Sequence, residues 1–422
     1  MTLPRHPLPL LGLILLALVI RSDAAVSRAP AGRHAVEPAA LVAASTDPVA
    51  SLRRAACSST ALSELASRSD QLPCARPAAA NSATLMSLPP AAPVLESGAN
   101  QRIASQGDGT LVDRLRIFTD DLVAMDLVAY RSSGLIVGGL LCYVDDGRPR
   151  STILHLHSGL GGIFVDPIPA GTETFDSCYE WAAGQQHNVF VPSYRGRDGG
   201  QGTADFCMGE ADDVANAAIL LRSLAIVDPN RLAMVGGSLG GCVALKAGVM
   251  IPNLRAVVAI APPTDWRDMV DFHRNRWARA TETRCDGSVV TWDLGGPAFA
   301  DVMDNTICGH RGCPLEAYQA RSPIPLVHQA TNPTLVVVAS SDNLVPASQQ
   351  LLWSGLRNDE TGAVAVEVRR RCQAPAAPAL ARDALIYVPG AFHFLETGPI
   401  ASSLLWMLDQ LDAAPAPASA GL

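Results

Sequence analysis

The sequence predicts an α/β fold with a mostly parallel, doubly wound sheet, because strand patterns alternate with helix patterns along it. Six short apolar runs bounded by turn residues have the composition of strands buried on both faces of a parallel sheet. These runs are Thr152–His157, Asn188–Pro192, Leu232–Val235, Ala256–Ala261, Thr334–Ala339 and Leu385–Val388. Helical patterns at Glu210–Leu224 and Leu239–Met250 lie between them, which requires crossover connections. In such sheets the reactive site lies at the carboxyl ends of the strands.

An antiparallel hairpin is predicted ahead of these strands. The apolar segments Val123–Tyr130 and Leu135–Tyr143 flank the turn sequence Ser132-Ser133-Gly134. The hairpin leads into the sheet, and we predict one catalytic domain over residues 108–412.

The amino-terminal residues have the features of a secretory signal. Arg5 and His6 precede the apolar stretch 8–20, and Ser22-Asp23-Ala24 offers small residues for a signal peptidase. We predict a signal peptide over 1–24 and a secreted or periplasmic protein. An uncleaved membrane anchor is the alternative, although the stretch is shorter than the roughly 20 residues of a spanning helix.

Two segments outside the domain are rich in Ala and Pro. Residues 25–107, which are also rich in Ser, are predicted to be a low-complexity linker, and residues 413–422 a flexible tail. Within the linker, Pro48–Ser69 has the spacing of an amphipathic helix, and a bond between Cys57 and Cys74 would close a loop around its end.

The charge balance limits the classes of partner. The chain has 32 basic and 40 acidic residues and a formal net charge of −8, which argues against a surface for nucleic acid or anionic membrane. We therefore expect a peptide or small ester as substrate, no nucleic acid, and membrane attachment only if the signal segment is uncleaved.

The ten cysteines of an exported chain predict several disulfides, whose pairing the sequence does not determine. Cys308 and Cys313 flank His310, a combination that also occurs in zinc sites. A disulfide-pinned loop is the favoured interpretation, because the sequence has no second ligand pair at zinc spacing.

Gly236-Gly237-Ser238-Leu239-Gly240 lies between a predicted strand and a predicted helix. A serine at such a sharp turn projects from the sheet in a strained backbone conformation, and the residues two before and two after it must be small. Gly236 and Gly240 meet that demand. The turn also directs the backbone N–H of Leu239 towards an oxyanion formed at the serine. Ser238 is therefore the candidate nucleophile.

A base and an acid follow two later strands. Asp342 comes after the run 334–339, and His393 comes after the run 385–388. The order Ser238, Asp342, His393 is that of the α/β-hydrolase fold, which we predict here. Asp265, after the run 256–261, is the rival acid, and capping of the next helix is the alternative role for Asp342.

His155 and His157 lie two residues apart on a predicted strand and face the same side, as a metal-binding pair would. Hydrogen bonding at the top of the sheet is the favoured interpretation. Acyl transfer by a serine needs no metal or organic cofactor, and none is predicted.

Three further motifs accompany these residues. They are His157-Ser158-Gly159-Leu160-Gly161-Gly162, Pro192-Ser193-Tyr194-Arg195-Gly196-Arg197-Asp198-Gly199-Gly200 and Arg321-Ser322-Pro323. Together with the loops of the three candidate residues, they make roughly residues 120–410 resemble the catalytic domain of the prolyl oligopeptidase family of serine peptidases.

The resemblance implies a role for each matching position. Ser238 would be the nucleophile, His393 the base and Asp342 the group that orients it. Gly159 matches the second glycine of the family's His-Gly-Gly turn, so its N–H would join that of Leu239 in an oxyanion hole. Ser158 stands in place of that motif's first glycine. The resemblance further implies structural roles for Tyr194 and Arg195.

The chain departs from the family in two respects. Residues 25–106 are too few and too polar for the β-propeller of the larger members, and Leu239 and Cys242 stand where many prolyl peptidases have aromatic residues. We predict a secreted serine hydrolase that cleaves peptide or other acyl bonds. A carboxylesterase acting on small acyl esters and a non-catalytic binding protein are the alternatives. The segment 265–321, with Trp266, Trp277 and Trp292, is predicted to form a substrate-selecting cap over the serine.

Overall fold

The computed structural model describes residues 108–163, 178–184, 187–276, 279–293, 295–379, 381–395 and 397–413. The predicted signal peptide, the linker with its helix and two cysteines, and all but the first residue of the predicted tail lie outside the described residues.

A ten-stranded sheet forms the centre of the molecule. Its strands are β1 (Leu111–Thr119), β2 (Ala124–Ser132), β3 (Leu135–Tyr143), β4 (Arg150–Leu156), β5 (Asn188–Pro192), β6 (Val227–Gly237), β7 (Ala256–Ile260), β10 (Thr334–Ala339), β11 (Val364–Val368) and β12 (Asp383–Val388). The strand order is β1-β2-β3-β5-β4-β6-β7-β10-β12-β11. The pairs β1–β2, β2–β3 and β3–β5 are antiparallel, and the other pairs are parallel.

Helices cover both faces of this sheet. They are α1 (Gly209–Ser223), α2 (Leu239–Met250), α3 (Trp266–Asn275), α4 (Pro297–Cys308), α5 (Leu315–Gln319), α6 (Ala347–Thr361) and α7 (Thr397–Asp412), with a 3₁₀ helix at Ile324–Gln329. Successive side chains of a strand point to opposite faces of the sheet, so the core has a part on each face. Leu154 of β4 packs in one cluster with Val243 of α2, whereas Ile153 packs in another with Trp406 of α7. The α/β-hydrolase fold and its leading antiparallel hairpin are thus as predicted.

The segment predicted as a cap lies between β7 and β10. It contains α3, α4, α5 and a separate antiparallel pair, β8 (Arg279–Thr283) and β9 (Val289–Asp293). Trp266 is buried in the main core cluster, at 2 % exposure. Trp266 therefore packs in the core of the molecule.

Four disulfides join the eight cysteines of the described residues: Cys142–Cys178, Cys207–Cys242, Cys285–Cys372 and Cys308–Cys313. The last is the loop disulfide that the sequence favoured. Within the described ranges, every helix is too short or too polar to cross a membrane.

Candidate active site

Ser238 lies at the turn from β6 into α2, with backbone angles φ +52° and ψ −121°. Its N–H donates to the carbonyl oxygen of Ile260 on β7, at 2.8 Å. A Cβ on Gly236 would lie 2.3 Å from the Gly240 oxygen, and one on Gly240 would lie 2.2 Å from the Leu156 oxygen. The two glycines therefore permit a close approach of strand and helix, which holds the serine in its strained conformation.

His393 and Asp342 lie beside this serine, on the loops after β12 and β10. Nε2 of His393 is 2.9 Å from Oγ of Ser238, and its Nδ1 is 2.7 Å from Oδ2 of Asp342. The tautomer with a proton on Nδ1 satisfies both contacts, since Nδ1 then donates to the carboxylate and Nε2 accepts from the hydroxyl group. The structure thus brings together the three side chains that the sequence singled out.

Four hydrogen bonds hold the Asp342 carboxylate. Oδ1 accepts from the N–H groups of Leu344 and Val345, both at 2.9 Å. Oδ2 accepts from His393 and from Nε2 of Gln350, the latter at 2.8 Å. The helix that follows begins after Pro346. The Asp342 side chain therefore binds N–H groups of its own loop and does not cap that helix. Its orientation towards the histidine is therefore fixed from several sides.

The rival acid has another role. Asp265 is the N-cap of α3, where its side chain accepts from the N–H groups of Arg267 and Asp268 at 2.9 and 3.2 Å.

Two side chains that support the loop of Asp342, residues 340–346 and here called the acid loop, were not predicted from the sequence. Gln350 projects from α6, and His273, on α3, places Nε2 2.7 Å from the Leu344 oxygen. Burial lowers the pKa of His273, and its Nδ1 accepts from the Gly296 N–H at 3.2 Å. His273 is 71 residues from its partner in the sequence, and Gln350, although only 8 residues from Asp342, belongs to no motif that would signal this contact.

The predicted oxyanion turn, residues 157–160, follows β4. Gly159 has φ +75°, a left-handed conformation that favours glycine. The Tyr194 hydroxyl group donates to the His157 oxygen at 3.4 Å, and Nε of Arg197 donates to the Leu160 oxygen at 3.2 Å. Leu239 is the first residue of α2, so its N–H has no acceptor within the helix.

The two histidines of β4 and its following turn have different aromatic neighbours. The His155 ring stacks on Trp181 at 4.9 Å, and the His157 ring packs against Tyr194 at 4.3 Å. Burial lowers the pKa of His155 to about 4 and that of His157 to about 3. Across the part of the chain that the structure describes, no group of three or more His, Cys, Asp or Glu side chains is placed to hold a metal ion.

Comparison with known proteins places this geometry in a family. The model of the Alpha/beta hydrolase family matches residues 153–397, which is more than half of the chain. The chain belongs to the alpha/beta hydrolase family. The narrower likeness to the prolyl oligopeptidase family stays a prediction.

Individual hydrolases are also similar to this chain. An uncharacterized peptidase of Bacillus subtilis (strain 168), YtmA, is 29% identical over 230 residues, which are 54% of this chain and 78% of that protein. A thiohydrolase of Arthrinium phaeospermum is 34% identical over 82 residues, which are 19% of this chain and 27% of that protein. Acetyl xylan esterase 1 from Thermoanaerobacterium sp. shares the fold, with a TM-score of 0.50 and 14% identity over 73% of this chain and 90% of that one.

In this alpha/beta hydrolase, a disulfide anchors the helix that follows the serine. Cys242, the fourth residue of α2, is bonded to Cys207, which has φ +79°. Glu210 accepts from the N–H groups of Asp205 and Cys207, both at 3.0 Å. Burial, together with the neighbouring Glu210 carboxylate, raises the pKa of Asp205. The disulfide therefore fixes the loop before α1 to the helix that follows the serine.

Tyr194 and Arg195 have structural contacts, in line with the roles that the resemblance implies. Arg195 binds the buried Asp213 carboxylate through Nε at 3.1 Å and Nη2 at 2.8 Å. Ser132 on β2 donates to the same carboxylate at 2.6 Å. The motif thereby joins the loop after β5 to α1 and to the hairpin.

Proposed function

We propose that this alpha/beta hydrolase is a secreted serine hydrolase that cleaves peptide or other acyl bonds through a covalent acyl-serine intermediate. The observation that carries the proposal is the chain of two hydrogen bonds from Ser238 through His393 to Asp342, at 2.9 and 2.7 Å. A nucleophile, a base and a group that orients the base are the three parts that this chemistry requires.

In the proposed mechanism, Oγ of Ser238 attacks the substrate carbonyl carbon while Nε2 of His393 takes the hydroxyl proton. Asp342 holds the proton on Nδ1 and stabilises the imidazolium ion. His393 then gives its proton to the leaving group, and the acyl-serine remains. Water repeats the sequence with His393 as base, which releases the acid and restores the serine.

The N–H groups of Leu239 and Gly159 are the proposed donors to the tetrahedral oxyanion. Leu239 directly follows the serine at the start of α2, and Gly159 follows Ser158, whose side chain contacts the residue before the serine. Loss of one such donor typically costs about 3 kcal/mol of transition-state stabilisation.

Peptide bonds are the first proposed target, with the segment 265–321 as the proposed cap over the serine. The Bacillus subtilis relative, of which this chain covers 78%, is named as a peptidase. Export through the predicted signal segment is part of the proposal, and the four disulfides support it because such bonds persist in oxidising compartments.

A carboxylesterase acting on small acyl esters is the second candidate. Leu239 is 4% exposed, and Cys242 is fully buried in its disulfide. The positions where many prolyl peptidases have aromatic residues thus hold side chains packed in the core. Neither position offers an aromatic ring to the substrate, which favours a carboxylesterase over a proline-directed peptidase. A non-catalytic binding protein on the same scaffold is the third alternative.

Substrate turnover separates these candidates. Purified protein would be assayed with p-nitrophenyl esters and with aminoacyl-anilides, beside a His393→Ala variant and a His328→Ala control in which an exposed histidine is removed. We expect turnover of both substrate types, lost in His393→Ala and kept in the control. Ester turnover without anilide cleavage would support the esterase. Full activity in His393→Ala would refute the triad, and no turnover of either substrate would leave the binding protein.

A further inference from the structure

Ser158 joins the predicted oxyanion turn, residues 157–160, to the sharp turn at residues 236–240 that carries Ser238, here called the elbow. The backbone pairing between β4 and β6 ends at Leu156 and Gly236, so the two segments have no further ladder bond beyond these residues. Oγ of Ser158 donates to the carbonyl oxygen of Gly237 at 2.8 Å. Gly237 directly precedes Ser238. One side-chain hydroxyl group therefore links the two segments just past the end of their ladder.

The other contacts of the turn run in different directions. Tyr194 and Arg197 hold it from the loop after β5, and His157 Nδ1 lies 3.0 Å from the Ser158 oxygen within the turn itself. These bonds fix the turn against the loop after β5. The Ser158 hydroxyl group fixes it against the residue that precedes the nucleophile.

The packing at this link is tight. A Cβ on Gly237 would lie 3.3 Å from the Ser158 Oγ, and one on Gly240 would lie 2.8 Å from the His157 oxygen. The turn and the elbow are thus in direct contact on both sides of Ser238. A shift of the turn would change the position of the Gly159 N–H relative to the serine.

We propose that Ser158 is a positioning residue for catalysis, whose hydroxyl group sets the position of the Gly159 N–H relative to Ser238 Oγ. Oxyanion donors contribute because they are already in place where charge develops, so a displaced donor weakens binding of the transition state more than binding of the substrate. The inference rests on the proposed function. The glycine of the related His-Gly-Gly turn has no side chain to make this bond.

The test compares two variants of nearly equal shape. Ser158→Thr keeps the hydroxyl group, and Ser158→Val replaces it with a methyl group. Ser223→Ala is the control, because the Ser223 hydroxyl group also donates to a backbone oxygen, that of Leu220 at 2.6 Å, but within α1. Steady-state kinetics with a p-nitrophenyl ester and the rate of fluorophosphonate labelling would be measured at a temperature where circular dichroism shows each variant folded.

We expect Ser158→Val to lower kcat and the labelling rate about tenfold, with KM within about twofold of the wild type. Ser158→Thr should keep most of the activity, and Ser223→Ala all of it. Unchanged kcat in Ser158→Val would overturn the inference, as would equal losses in the Thr and Val variants or a rise in KM alone. An unreactive wild type would instead refute the proposed function, and the inference would fail with it.

Discussion

Gln350 should support both the stability of the protein and the orientation of Asp342, the proposed catalytic acid. Its side chain is fully buried on α6. Nε2 donates to Asp342 Oδ2 at 2.8 Å and to the Val345 oxygen at 2.7 Å, while Oε1 accepts from the Ala339 N–H at 2.8 Å. Replacement by leucine removes all three bonds from groups that water does not reach.

The magnitude follows from these contacts. A buried polar group left without its partner costs about 1–3 kcal/mol. The Val345 oxygen and the Ala339 N–H lose the Gln350 contact, and Asp342 keeps three of its four donors. We therefore expect Gln350→Leu to lower the free energy of unfolding by about 3 kcal/mol. Because the carboxylate that orients His393 is less firmly held, kcat should fall about tenfold.

The neighbouring Gln349 supplies a matched control. It is also buried, at 1 % exposure, and its Oε1 accepts from the N–H groups of Thr264 and Asp265, both at 3.0 Å. Its contacts lie at the start of α3 and not at Asp342. Gln349→Leu should lose similar stability in urea unfolding but keep the wild-type kcat in an ester assay. If the two variants lost stability equally and both kept the wild-type kcat, the positioning role of Gln350 would be refuted.

Two other predictions concern the elbow and the pH dependence of stability. Gly240→Ala places a Cβ 2.2 Å from the Leu156 oxygen and should lower the urea midpoint sharply, whereas Gly355→Ala, in open space on α6, should leave it unchanged or raise it. Burial lowers the pKa of His157 to about 3, so the unfolded chain binds one more proton between that value and about 6.5. This histidine should therefore make the free energy of unfolding fall by about 1.4 kcal/mol per unit as pH falls through that range, and His157→Phe should lack this contribution. Equal slopes in both proteins would contradict it.

The central part of the fold was predictable because its strands carry a strong signal. A parallel strand buried on both faces, such as β10, has an uninterrupted apolar run. The strands that were missed have little of this signal. β1 carries charged residues and is half exposed, and the edge strand β11 leaves Val366 and Val368 63% and 64% exposed. Their pairing depends on the neighbouring strand, which a single segment does not reveal.

The three candidate catalytic side chains could be located from the sequence for a related reason. Ser238, Asp342 and His393 each follow a strand that the sequence predicts. Because the carboxyl ends of parallel strands lie at one edge of the sheet, the predicted strands place the three side chains at the same edge. The supporting side chains Gln350 and His273 belong to helices whose packing is decided by the whole core. Their contacts with the acid loop span 8 and 71 residues, so only the folded structure shows them.

The most direct test of the central claim is the site of reaction with a fluorophosphonate. After labelling, reduction and digestion with trypsin, the peptide 232–246 contains Ser238 as its one serine. Mass spectrometry should find the phosphonyl group on that residue, and the Ser238→Ala protein should stay unlabelled. An adduct at another residue, or no adduct on folded wild-type protein, would contradict the assignment of Ser238 as the nucleophile.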